Sequence, residues 1–163
     1  MYRARARWSW VLLFSCGLGY AGQDDDARAS FQALPGAEAS EGAGKAFDLL
    51  LAGKEAEAYG AFQAAAAENP RDGLARFGLG LHEHMRGQFQ AALEAHLGAL
   101  AAAPNHAWAE LFLEAALALG PACRNPKPLE ETLRKLSLDE TVAPALRDRT
   151  RRALAEWLLG RGR

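Results

Sequence analysis

Three neighbouring side chains, His82-Glu83-His84, are the sharpest chemical feature of the sequence. Two histidines around a glutamate suggest a zinc centre, in which imidazoles hold the ion and the carboxylate handles a proton of bound water. That chemistry needs the histidines at i and i+4, on one face of a helix. Here they stand at i and i+2, about 200° apart around a helix axis, so they cannot grip one ion together. His96 and His106 fall on other elements, where His96 reads as a packing residue. The reading adopted is therefore no metal, no cofactor and no catalytic residue. An unrecognised site around His82, His84 and His106 is the enzymatic alternative.

The other reactive residue types lack the company that chemistry requires. There is no GxSxG, and beyond the N-terminal stretch the serines are Ser30, Ser40 and Ser137. Gly78-Leu79-Gly80 has no strand before it and cannot cradle a phosphate. Cys16 and Cys123 are the only cysteines, which rules out a disulfide framework and any CxxC ligand pair. Cys123 follows a proline turn, and Arg124 beside it should draw the thiol's pKa down. Arg147, Arg149, Arg151 and Arg152, with Arg161 and Arg163 beyond them, resemble a basic face, but Asp148 and Glu156 interrupt it. A solvated face fits better than a lipid or nucleic-acid patch. The formal net charge is −1, and the first 21 residues carry three arginines and no acid. The remainder is mildly acidic and offers nucleic acid no general attraction.

The elements that would position these residues are helical. Of 163 residues half are apolar, Ala and Leu dominate, Val11 and Val142 are the only valines, and there is no isoleucine. That bias disfavours a sheet. A period then appears. Pro70 and Pro104 lie 34 residues apart, and at the same offset Gly53 matches Gly87, Ala58 matches Ala92, Ala61 matches Ala95, Ala65 matches Ala99, and Ala46 is answered by Gly80. In the first unit, residues 41–72, Gly53 breaks a helix carrying Ala46, Phe47, Leu49 and Leu50. A second helix, Lys54 to Glu68, then sets Ala58, Ala61, Phe62 and Ala65 on one face. Asn69-Pro70 stops it, since proline disfavours a helical residue before it. Residues 73–106 repeat this logic around Gly87, with Ala92, Ala95, His96 and Ala99 on the returning face.

Small residues at helix crossings, an aromatic later in the second helix and a closing proline together resemble the tetratricopeptide repeat family. Ala46, Gly80, Ala58, Ala92, Phe62, Ala65, Ala99, Pro70 and Pro104 occupy those places, and His96 stands where an aromatic is usual. The resemblance implies an all-α, short right-handed solenoid of helical hairpins. A third unit, residues 107–137, starts with Asn105 as a helix cap and Trp108, Leu111, Phe112, Ala115 and Leu119 in apolar register, then degenerates. Glu114 sits where a small residue is expected, and Gly120-Pro121 and CRNPKP follow. A short helix from Pro128 to Leu136 and a capping helix within residues 141–160, starting near Ala143 or Pro144, complete the domain of residues 45–163. The cap should bury Leu146, Ala153, Leu154, Trp157 and Leu158.

The family's concave groove, formed by the first helices of successive units, holds an extended peptide or a partner's helix. Carried over by alignment, it contains Phe47, Leu50, Leu74, Phe77, Leu81, His84, Met85, Trp108 and Leu111. These are mostly apolar, so the implied partner is a protein offering an apolar or amphipathic segment. The lysines and asparagines of members that clamp acidic C-terminal tails are missing. The same side chains also fit a core covered by the C-terminal helices or by a second copy of the chain, as in a homo-oligomer.

The N-terminus reads as an address. Arg3, Arg5 and Arg7 precede an apolar run from Trp8 to Tyr20, too short to span a bilayer as a helix. Residues 1–21 are expected to be a signal peptide cut after Ala21, or a lipoprotein signal ending before Cys16, the residue it would acylate. An uncleaved short anchor is the remaining option. Residues 22–44, rich in Asp, Ala, Ser, Glu and Gly, are expected to form a flexible linker. The expectation is an exported, periplasmic, secreted or envelope-anchored adaptor.

Overall fold

The computed structural model describes residues 40–161, with the side chain of residue 161 left aside. The expected signal segment, residues 1–21 with Cys16, and all but the end of the expected linker lie outside the described residues. Within them the chain forms seven α-helices, one short 3-10 turn and no strand. The helices are α1 (Glu41–Leu51), α2 (Glu55–Glu68), α3 (Gly73–Met85), α4 (Phe89–Ala102), α5 (Ala109–Leu119), α6 (Lys127–Leu138) and α7 (Pro144–Arg161).

Helix α1 starts inside the segment expected to be linker. Ser40 caps it, its hydroxyl accepting the Ala43 N–H at 3.1 Å. Ala43 is buried, and Gly42 lies so close to Ala65 that a Cβ would come within 3.1 Å of the Ala65 methyl. Residues 41–44 are therefore part of the body. The Ser40 hydroxyl also donates to the Asp72 carboxylate, which caps α3 by accepting the Ala75 N–H at 2.9 Å. One carboxylate thus ties the starts of two first helices together.

The two hairpins turn in the same way. Gly53 and Gly87 both have φ of +73°, a left-handed conformation that a side chain opposes. After α1, the Gly53 N–H bonds to Leu50 C=O and the Lys54 N–H to Leu49 C=O. After α3, Gly87 bonds to His84 and Gln88 to Glu83 in the same pattern, the Schellman arrangement that satisfies the last carbonyls of a helix. Three of the four helix bounds keep the spacing: Leu51 and Met85, Glu55 and Phe89, Glu68 and Ala102 each differ by 34, while the starts, Glu41 and Gly73, differ by 32.

Packing follows the chain in order through α5. Helix α1 packs on α2, α2 on α3, α3 on α4 and α4 on α5. The third unit, expected to be degenerate, does not repeat the pairing of the first two. Helices α5 and α6 make no extended contact; α6 pairs with α7 and also rests on α4, while α7 touches α5. Residues 107–137 are not a hairpin, because the link through Gly120, Pro121 and Asn125 carries α6 away from α5. Asn105 does not cap α5 either. Its side chain donates to Thr141 C=O at 3.0 Å and accepts the Ala143 N–H at 2.8 Å, fastening the loop before α7. In α7, Leu146 and Ala153 are buried and Leu154 and Trp157 half-buried, whereas Leu158, expected inside, is 40% exposed.

The turns and the helix interiors make opposite demands on glycine, which gives a paired prediction. Nothing lies within 4 Å of a Cβ at Gly87 or at Gly60, which sits exposed inside α2. Gly87→Ala should lower the urea midpoint by the equivalent of about 1–2 kcal/mol, from φ alone. Gly60→Ala should raise it by up to about 1 kcal/mol through helix propensity.

Candidate functional site

Four of the nine groove residues belong to the core. Phe47, Leu74, Phe77 and Trp108 are 3% exposed or less. Their rings meet: Trp108 lies 6.2 Å from Phe47 and 6.3 Å from Phe77, centroid to centroid, and Phe47 stands edge-on to Phe62 at 4.7 Å. Aromatic pairs at these separations add attraction beyond their buried area. Large rings from α1 and α3 thus converge on Trp108, just ahead of α5. The other five, Leu50, Leu81, His84, Met85 and Leu111, are half-buried and keep part of their apolar surface.

The histidines serve different neighbours. His82 stacks on Tyr59 of α2 at 4.1 Å, and the Tyr59 hydroxyl donates to Glu83 at 3.4 Å. His84 sits edge-on to Phe89 of α4 at 5.6 Å, and burial holds its pKa below the usual imidazole value. His106 stacks against Phe112 at 5.9 Å and accepts the Trp108 N–H at Nδ1, 3.1 Å. The structure does not bring His82, His84 and His106 together. Among the described residues no three His, Cys, Asp or Glu side chains gather to hold a metal ion. His96 is completely buried in α4, and burial first, then the neighbouring His84, lowers its pKa to about 3.

The Cys123 thiol is half-buried and donates to Phe89 C=O at 3.3 Å. Burial, then the charge of Glu94, pushes its pKa up, opposite to the expected pull of Arg124, which is exposed. The thiolate is disfavoured there. Two of the α7 arginines, Arg149 and Arg151, are engaged within the fold. Arg149 pairs with Glu110 at 3.2 Å and with Glu114, which accounts for an acid at a small-residue position. Arg151 donates from Nε to Ser137 C=O at 3.0 Å and pairs with Asp148 at 3.0 Å.

A concave surface away from the nine groove positions escaped the sequence. Between α5 and α7 lies an open cleft of about 440 Å³ lined by Glu114, Leu117, Ala118, Pro121, Ala153, Glu156 and Trp157. Its one legible signal was Glu114, a carboxylate that needs a cation and so draws α7 alongside α5. The hairpin α6–α7 is further clasped by Gln90, whose amide donates to Asn125 C=O and accepts the Asn125 N–H, both at 3.2 Å. Among the described residues no helix is long and apolar enough to cross a membrane. No family model, curated protein or solved structure matches the chain.

The clasp can be tested apart from the hairpins. Asn105→Ala removes both bonds to the 141–143 loop, about 1 kcal/mol in all. Hydrogen exchange at the start of α7 should then speed roughly fivefold, while amides of α1 to α3 keep their protection.

Proposed function

We propose that the chain is a tetratricopeptide-type interaction module that works by contact and not by catalysis. In this reading two regular hairpins begin a short right-handed solenoid, α5 opens a degenerate third unit, and the α6–α7 hairpin caps the end. The observation that carries it is the 34-residue recurrence of three helix bounds and of the glycine turns through two successive hairpins. Stacked hairpins of that kind leave the first helices facing a common side. There the half-buried Leu50, Leu81, His84, Met85 and Leu111 offer apolar surface to a peptide or amphipathic helix of another protein. The basic-then-apolar order of Arg3, Arg5, Arg7 and Trp8 to Tyr20 supports work outside the cytoplasm, as an adaptor or assembly factor of the cell envelope.

Self-association is the second reading. It is favoured by Leu138 and Leu159, which are 77% and 70% exposed at the ends of α6 and α7. Sedimentation across a hundredfold range of concentration separates the two. A stable closed dimer supports self-association, and a monomer supports an outside partner.

The groove itself is tested at positions that are not core. Leu81→Glu with Leu111→Glu should retain helical circular dichroism and a cooperative melt. In a pull-down from envelope extract the double variant should lose specific bands that the wild type retains. Identical bands from a folded variant would reject the groove.

A further inference from the structure

His96 occupies a place where the fold asks for an apolar ring. It lies 34 residues after Phe62, and the two side chains hold the same position in α4 and α2. Phe62 is 1% exposed and His96 is 0% exposed. The imidazole is seated against Gly80 of α3, so closely that a Cβ there would come within 2.5 Å of it, and its centroid is 5.0 Å from that of Phe77. Neither ring nitrogen finds a hydrogen-bond partner. A buried polar ring with both nitrogens unsatisfied weakens a core that a phenyl ring fills without penalty one repeat earlier. Such a local breach of packing logic is a place to look for a role other than stability.

We propose that His96 is an acid-operated release on the α3–α4 hairpin: on taking up a proton from solvent the ring cannot remain in its apolar seat, and the two helices part. The charge would find no counter-ion in its seat: on α4 itself Glu94 is exposed and accepts the Gln90 amide at 3.0 Å. From α3, Arg76 is engaged with Pro70 C=O, His82 and Glu83 with Tyr59, and His84 adds a like charge when protonated. From α5, Glu110 and Glu114 are turned to Arg149. From α6, Glu130 is paired with Arg134, and Lys127, Glu131 and Lys135 are exposed.

The direction follows from linkage. His96 titrates near 3 in the folded chain against 6.5 for a free imidazole, so below about pH 6.5 the unfolded chain binds the proton and the folded one does not. Stability is therefore lost as pH falls from 6.5 toward 3. His84, also lowered by burial, acts in the same sense. The helix that moves carries Leu81, His84 and Met85, so the surface they form would be dismantled in acid. The release itself does not depend on what binds there.

The test compares the wild type with His96→Phe, which copies the ring of the first hairpin. Urea unfolding is followed between pH 7.5 and 4.5, and the imidazole proton resonances of the wild type are titrated by NMR. Below pH 6.5 the wild-type unfolding constant should rise more steeply than that of the variant by a factor approaching tenfold per pH unit. The His96 resonance should stay at its neutral position throughout the folded range. Parallel pH curves for the two proteins would overturn the proposal, as would a His96 resonance that titrates near 6.5 in the folded chain. The resonance decides the matter by itself should the variant not fold.

Discussion

Two helices can approach only as closely as the smallest residues facing each other allow, and this limit organises the molecule. Gly42 admits the Ala65 methyl, Gly78 admits the ring of Phe62, and Gly80 admits His96. Each contact replaces a side chain on one helix with a side chain from a neighbouring one, so the rings of Phe62 and His96 are buried between helices and not beside them. Close approach also aligns the helix starts. Asp72 caps α3 and holds Ser40 at the head of α1 in the same few ångströms, which no wider packing would permit.

The first two hairpins were readable because their determinants are local. Glycine at a left-handed turn, alanines at helical spacing and a stopping proline each act within a few residues, and each recurs at the same offset. The start of α1 was less readable. Gly42 and Gly44 disfavour helix on propensity alone, and what overrides them is the contact with Ala65 and the Ser40 cap. Beyond Pro104 the determinants become tertiary. Asn105 looks like a helix cap by type and position, yet its partners are Thr141 and Ala143, far along the chain. Glu114 looks misplaced until Arg149 is brought beside it.

The candidate groove was legible as a set of positions and not as a surface. Alignment gives which residues share a face; it does not say which rings sink. Trp108 reaches both Phe47 and Phe77, and that convergence submerges four of the nine positions while five keep exposed area. A repeat array shares its core between neighbours, so whether a side chain is floor or wall depends on the size of its counterpart in the next unit. His96 illustrates the same limit. Its place in the period marked it as a packing residue, and only the absence of any partner for its nitrogens shows what that packing leaves unmet.

The fastening of the C-terminal hairpin has a consequence for how this sequence can vary. Gln90 and Asn105, both on the N-terminal side, reach across to main-chain atoms of Asn125, Thr141 and Ala143. Those atoms are present whatever side chain is attached to them. At these contacts Gln90 and Asn105 read the course of the loops flanking α6 and not the side chains of Asn125, Thr141 and Ala143, so a change in either amide would cost the fastening where a change in those three side chains need not.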